Sequence, residues 1–349
     1  MAKIGIIGTG WGARVQVPTL REAGLSVTAI AGHNRERTRR IASELEVEPH
    51  DDWRAVIASP DVDLVSIVTP PSEHREMALA ALEAGKHVLL EKPTALDAGQ
   101  AEELAAAAER HPDRVTLIDH ELRFLPSWRE ARTRIADALG DVRYAEVRYA
   151  SPARGDRKRE WNWWSDAQRG GGAWGAVGSH FVDALRYFGM EIEAALAAMR
   201  TVIGERPSGD GTREVTSDDL SNVTLRLRGG AMAMLTFSVV AGGPDEPSVM
   251  TIHGERGAVR FIGEEVLLSN DRAPFATLAG GPMQERPGNS MGGAFGSGTL
   301  HLGRALRAAL DEGHREALAP AATFADGLRQ QRVLDAARRS AAAGAWATV

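Results

Sequence analysis

The chain has 349 residues, 43% hydrophobic and 25% charged, values ordinary for a soluble globular protein and enough for two domains with separate cores. A formal net charge of -6 argues against general nucleic-acid binding, and the absence of cysteine excludes disulfides and thiolate metal sites. The ten histidines lack ligand spacing, so no metal is expected; no apolar run is long enough for a membrane span, and strand-like sequence from Lys3 leaves no room for a signal peptide, so a cytoplasmic protein is expected.

Lys3 to Ile7 reads as a strand, followed by Gly8-Thr9-Gly10-Trp11-Gly12-Ala13 and a helical stretch towards Ala23. This is a dinucleotide fingerprint placed between strand and helix, where small residues let the backbone approach a pyrophosphate and the helix amino terminus supplies donors. Gly8, Gly10, Trp11, Gly12 and Ala13 are the expected cofactor contacts, with a simple tight turn as the alternative. The next strand, Val27 to Ala31, ends in Gly32-His33-Asn34-Arg35 with no acid for a ribose 2′-hydroxyl. His33, Asn34 and Arg35 could instead bind a 2′-phosphate, which favours NADP over NAD. Read blandly, Arg35, Arg37, Arg39 and Arg40 form the solvated face of a helix.

A strand from Leu64 to Val68 ends in Thr69-Pro70-Pro71, a rigid turn expected over the cofactor, before a helix from about Glu73 to Ala84. His74, in its first turn, either reaches the cofactor or caps the helix. Val88 to Leu90 is a short apolar run of the kind a buried parallel strand shows, so its carboxyl end carries Glu91, Lys92 and Pro93. In an open α/β sheet that edge meets the ligand. Only Lys3, Lys86, Lys92 and Lys158 are lysines among 41 basic residues, which makes a lysine at this edge a chemical choice more than a surface charge. A helix near Asp97 to Arg110 and a strand near Arg114 to Ile118 complete a pattern of alternating strands and helices, a doubly wound parallel sheet.

Together these motifs resemble the Gfo/Idh/MocA oxidoreductase family over essentially the whole chain. The resemblance rests on Gly8-Thr9-Gly10, on 69–74, on Glu-Ala-Gly-Lys-His-Val-Leu-Leu-Glu-Lys-Pro at 83–93, on Gly-Gly-Gly from 170, and on Gly178-Ser179-His180 with Asp183. It implies an NAD(P)-binding domain over 1–122 and, over 123–349, an α+β substrate and oligomerisation domain with a large open antiparallel sheet, carboxyl-terminal helices included. It further implies hydride transfer on hydroxyl groups of sugars and cyclitols, with Lys92 and His180 at the reacting oxygen. Arg123 matches an arginine near substrate in relatives; alternatively it pairs with an acid. Relatives commonly carry Asp four residues before the histidine, where this chain has Ala176, so Asp183 is the candidate for orienting the imidazole.

The second half opens with a helix from about Ser127 to Leu139 and a strand from Asp141 to Ala150; the charged run Arg154 to Glu160 reads as a solvated loop, with phosphate binding as the alternative. Trp161, Trp163, Trp164 and Trp174 crowd together, and three within four positions cannot all face inward on one regular element. Trp163 and Trp164 are therefore candidates to line a cleft for a carbohydrate-like substrate. Ala173 to Tyr187 reads as a helix placing Ala176, His180 and Asp183 on one face. Strands near 194–203, 215–228, 231–240, 248–253 and 258–262 suggest a meander with one face on helices and the other free for a partner copy, hence a dimer or tetramer. Residues 271–299 read as a lid, an oligomer arm or a disordered stretch, and 324–342 as a helix. The expected activity is an NAD(P)-dependent dehydrogenase or reductase. A glycosidase that uses tightly bound NAD transiently and a non-catalytic cofactor-binding regulator are the alternatives.

Overall fold

A computed structural model describes residues 1–279 and 293–349. In chain order the elements begin with β1 (Lys3–Ile7), a π-turn over Gly12–Gln16 leading into α1 (Val17–Glu22), β2 (Ser26–Ala31), α2 (Arg35–Leu45), β3 (Glu48–His50), α3 (Trp53–Ala58) and β4 (Leu64–Ile67). Then come α4 (Pro71–Glu83), β5 (His87–Leu90), α5 (Ala98–Arg110), β6 (Thr116–Ile118), a 3₁₀ turn at Glu121–Phe124, α6 (Pro126–Leu139), β7 (Val142–Ala150), a second π-turn at Trp174–Gly178 and α7 (Ser179–Tyr187). They are followed by β8 (Ile192–Arg200), β9 (Glu205–Ser208), β10 (Gly211–Glu214), β11 (Leu220–Leu227), β12 (Met232–Ser238), β13 (Val249–Gly254) and β14 (Gly257–Ile262). The last are β15 (Glu265–Asn270), β16 (Ala276–Ala279), α8 (Gly293–Asp311), β17 (Ala322–Thr323), α9 (Phe324–Ala343) and β18 (Ala347–Thr348).

The chain forms two compact units, one of 1–95, 99–125 and 293–328, the other of 96–98, 126–279 and 329–349. The first is built on a seven-stranded sheet in the order β17-β6-β5-β4-β1-β2-β3, parallel except for β17 against β6. Its central strands β1, β4 and β5 are largely apolar because both faces are covered. Val56, Met77, Leu82, Ala101 and Leu104 of α3, α4 and α5 cover one face; Val17, Leu20, Ala42, Leu302 and Leu306 of α1, α2 and α8 cover the other. The order reverses between β1 and β4, the switch point where a doubly wound sheet opens a crevice. Helix α8 and strand β17 belong to this unit, whereas a single division at residues 122 and 123 placed all the carboxyl-terminal helices in the second. Sequence order could not show that return.

The second unit carries a nine-stranded sheet in the order β16-β15-β14-β13-β7-β12-β11-β8-β18. It is open and antiparallel except that β7 lies parallel to β12, so it departs from a meander at that pair. Strand β12 alternates cleanly: Ala233, Leu235 and Phe237 are buried, while Met232 and Met234 are 40% and 53% exposed. The hairpin β9–β10 lies in what read as a gap between strands. Of the stretch 271–299, residues 276–279 pair with β15 and 293–299 begin α8, and the rest of the expected lid or arm, 280–292, lies outside the described residues. Among the described residues no helix is long and apolar enough to cross a membrane.

Candidate active site

In the first unit the site starts at the end of β1. Gly8 has φ +134°, and a Cβ there would sit 2.2 Å from the carbonyl oxygen of Val68, so only glycine makes this turn. A Cβ on Gly12 would meet Ile6 Cγ2 at 2.8 Å, which keeps the helix close against β1, and Ala13 is buried in the core behind it. Gly10 differs: nothing lies within 4 Å of its missing Cβ. A backbone cradle that is tight behind and open in front suits a pyrophosphate, so these residues fit the dinucleotide that the fingerprint calls for. Trp11, partly exposed, is the residue from which the π-turn starts.

At the far end of β2, Asn34 Oδ1 accepts from Arg37 N and caps α2. Arg35 Nε pairs with Asp51 Oδ2 at 2.8 Å, and Arg37 donates to the carbonyl of Thr9 in the glycine turn at 3.0 Å. His33 is exposed. Arg37, which read as one of a solvated row, is thus the arginine tied to the cofactor turn, and Asp51 places an acid beside Arg35 that inspection of β2 alone misses.

Thr69 and Pro70 follow β4, next to β1 in the sheet, and remain partly exposed. His74 is fully buried, with Nδ1 3.0 Å from the carbonyl of Pro93 and Nε2 2.9 Å from that of Thr69. Burial pushes its pKa down to about 4 against those backbone contacts, so the ring is neutral at pH 7. The ring lies between the turn after β4 and the turn after β5, and in its neutral form its one N–H donates to only one of the two carbonyls. Both nitrogens already face protein carbonyls.

Beyond β5 the backbone of Glu91 continues the parallel ladder, its N–H donating to Ile67 at 2.9 Å, and Lys92 stands next, half-buried, before a cis peptide to Pro93. Around it lies a group of acids. Gln16 Nε2 donates to Asp119 Oδ2 at 2.8 Å and to Glu91 Oε1 at 3.3 Å, and Ser66 Oγ fixes that amide by donating to Gln16 Oε1 at 2.6 Å. Burial, with the charge of Asp119 adding to it, pushes the Glu91 carboxyl up to about 8 against the pull of Lys92. Burial raises Asp119 to about 6, opposed by Gln16 and Lys92, and lifts Glu121 well above the carboxylate range with Asp119 and Glu91 adding to it. Gln16, Ser66, Asp119 and Glu121 were not found from sequence. The available signal was Asp119-His120-Glu121 directly after an apolar strand, which puts acids at the ligand edge.

Arg123 is buried, 3.7 Å from Asp326 Oδ2 and within 3.5 Å of the carbonyls of Pro320 and Ala321. The pairing alternative accounts for these contacts without a substrate.

In the second unit, the tryptophans divide. Trp174 is fully buried, its Nε1 donating to the carbonyl of Leu334 at 3.1 Å. Trp163 and Trp164 form a tilted pair at 6.2 Å and stay partly exposed, as does Trp161, which lies under Arg213. Arg154 is buried over the Trp164 ring at 4.5 Å, although the run it opens is otherwise mostly exposed. The triple glycine permits close approaches: a Cβ on Gly171 would lie 2.4 Å from the Trp164 carbonyl, and one on Gly172, at φ +114°, 2.1 Å from Asp218 Oδ1. Gly178 similarly accepts the Trp174 ring. The expected single helix is a π-turn followed by α7, and His180 and Asp183 lie in the first turns of α7, 5% and 3% exposed. Ala176 is buried within the π-turn.

The family model for the oxidoreductase family with NAD-binding Rossmann fold matches residues 2–118, and that for the GFO/IDH/MocA C-terminal domain matches residues 128–260. Glucose-fructose oxidoreductase domain-containing protein 2 of Bos taurus is 30% identical over 366 residues, covering 99% of this chain and 93% of that protein. The chain belongs to the GFO/IDH/MocA oxidoreductase family. An uncharacterized oxidoreductase of Synechocystis is 31% identical over 291 residues, covering 81% of this chain and 77% of that protein. Among solved structures, a levoglucosan dehydrogenase in complex with NADH and levoglucosan is similar at 26% identity and a TM-score of 0.86, covering 100% of this chain and 99% of that one. An oxidoreductase domain protein from Kribbella flavida is similar at 27% identity and a TM-score of 0.87, with the same coverage. As in the family, a doubly wound nucleotide-binding unit is joined to a unit built on a large, mainly antiparallel sheet.

Proposed function

We propose that this family member is an NAD(P)-dependent dehydrogenase or reductase acting on a secondary hydroxyl, or the matching ketone, of a sugar- or cyclitol-like compound. The observation that carries the reading is Lys92, a half-buried cation at the carboxyl end of β5, one strand from β4 and two from the glycine turn after β1. The nicotinamide, when bound, supplies the hydride acceptor or donor. The Lys92 ammonium donates a hydrogen bond to the substrate oxygen on which negative charge develops. His180 takes or returns the hydroxyl proton, with Asp183 orienting its ring and Trp163 and Trp164 offering flat faces to the substrate. A sugar-type substrate is supported by the solved neighbour bound to levoglucosan.

For the cofactor, the absence of an acid at the end of β2, with Arg37 at the glycine turn, supports NADP; Asp51 beside Arg35 and the NADH-bound neighbour support NAD. The reading adopted is NADP. Arg37→Ala is then expected to weaken NADP(H) binding several-fold and leave NAD(H) binding nearly unchanged, as followed by nicotinamide fluorescence; equal effects on both would overturn the preference. A homo-oligomer formed through the outer face of the nine-stranded sheet, with Met232 and Met234 exposed, goes with the same proposal.

Lys92→Ala tests the reaction. Turnover of sugar alcohols or ketoses is expected to fall by at least about a thousandfold while nicotinamide nucleotide still binds. Retention of most of the activity would overturn the assignment.

A further inference from the structure

The acid group around Lys92 lies entirely in the first unit and is held by residues from four elements. Glu91 follows β5 and Asp119 follows β6, and both are seated by the ladder, Glu91 N on Ile67 and Asp119 N on Leu90 at 2.9 and 2.8 Å. Gln16 comes from the helix that begins at the glycine turn, and Ser66 from β4. Because Ser66 Oγ donates to the Gln16 carbonyl oxygen, the amide NH₂ is directed at the two acids. One amide therefore serves two carboxyls.

Asp119 is buried and Glu91 half-buried, and two carboxyls sharing one amide there cannot both ionise at modest cost, since like charges in a poorly solvated site repel strongly. The Gln16 amide reaches both of them, 2.8 Å from Asp119 Oδ2 and 3.3 Å from Glu91 Oε1, so the two acids meet at one donor that cannot neutralise both. Asp119 Oδ1 is buried and meets no N–H or O–H donor among the described residues, and a proton held within the pair would satisfy it. The groups that face the pair or Lys92 are Glu121 from the 3₁₀ turn, with buried His120 beside it in sequence, and His74 from α4, which is neutral.

We propose that Glu91 and Asp119 share one proton at neutral pH and, with Gln16, act as positioning residues that give Lys92 a single compensating negative charge and hold its ammonium in place. This rests on the reading of Lys92 as the group at the reacting oxygen. A fully ionised pair would add a second negative charge and draw the ammonium into an ion pair away from substrate; a fully protonated pair would leave Lys92 with less compensation. Gln16 also links the pair to the cofactor helix, so nucleotide binding and the seat of Lys92 share one hydrogen-bond network.

The shared proton is read without turnover. In infrared spectra of the whole protein near pH 7, a protonated carboxyl belonging to the Glu91–Asp119 pair is expected beside that of Glu121, its C=O band shifting on exchange into D₂O. It should persist to about pH 8 and then decline, as the raised Glu91 carboxyl loses its proton. Glu91→Gln and Asp119→Asn should each remove that band or shift its titration. In turnover, each is expected to lose the alkaline fall in kcat while keeping kcat at pH 7 within about tenfold of wild type. Should one variant fail to fold, the other carries the test, and Ser66→Ala, which frees the Gln16 amide, should move the same titration in a smaller step. Absence of the band in the wild type, or a band and pH profile that neither substitution changes, would overturn the inference. If Lys92→Ala keeps its activity while the band behaves as expected, the reaction assignment fails and the proton-sharing pair stands.

Discussion

Two acid sites in this molecule are both withdrawn from solvent and behave differently. Asp218, in the second unit, accepts Trp174 N at 2.8 Å and the Ser221 hydroxyl, and packs against Gly172 where no Cβ fits. Glu91 and Asp119, in the first, divide one glutamine amide between two carboxyls beside Lys92. Burial raises the pKa in both places, but at Asp218 two donors directed at one oxygen oppose the rise. The difference teaches that the supply of donors, not burial alone, separates an acid that builds structure from one poised to change charge near neutrality.

The sharpest way to break this comparison is to delete each acid in turn. Asp218→Ala leaves the Trp174 N–H and the Ser221 hydroxyl without their acceptor and is expected to cost about 1–3 kcal/mol in denaturant unfolding. Asp119→Ala leaves Glu91 to receive the Gln16 amide, so its cost should stay below about 1 kcal/mol. Equal losses would end the distinction. Next comes the pH dependence of stability. A carboxyl whose pKa is higher in the folded than in the unfolded chain binds more protons when folded, so its contribution is fully present below its ordinary pKa and is lost as pH rises through the folded value. For Glu91 that window runs from the ordinary glutamate value of 4.5 to about 8. Stability at pH 8 should therefore lie below that of the Glu91→Gln variant once the two are matched at pH 5, measured by denaturant titration at each pH. Identical slopes would contradict the raised carboxyl. His74 acts in the opposite sense, losing stability as pH falls from the ordinary histidine value of 6.5 towards about 4, and is common to both proteins.

The smallest expected effect on stability separates the glycines. Gly10→Ala meets open space and should shift unfolding by less than about 0.5 kcal/mol while weakening nicotinamide nucleotide binding at least about tenfold. Gly172→Ala combines a positive φ with a contact on the Asp218 carboxyl and should destabilise by roughly 1–3 kcal/mol. A Gly10→Ala variant that binds nucleotide normally would remove the glycine turn from the proposed cofactor site.

Local pattern carried much of this molecule. The span Lys3–Ile7 and the helix from Phe324 follow from apolar period and flanking breakers alone, and β2, β5 and α4 came within a residue or two. Lys92 was placed at the ligand edge for the same reason, since a strand's carboxyl end is readable from the run that precedes it. Where pattern was weaker, the reading departed from the structure. The hairpin Glu205–Ser208 with Gly211–Glu214 is almost wholly polar and exposed, so it carries no hydrophobic alternation, and β7 joins β12 in parallel because sheet order depends on partners far away in sequence.

What the sequence by itself determined is the doubly wound first half, the glycine turn, the lysine at the end of β5 and the family resemblance, because each depends on residues within a few positions of one another. What only the tertiary structure decided is which side chains surround them. Gln16 meets Ser66, Glu91 and Asp119 across 50, 75 and 103 residues of chain, and α8 returns to the first unit from beyond the second. A neutral His74 and a raised Glu91 are properties of that packing, since burial and neighbouring charge, not residue type, set where a group holds its proton.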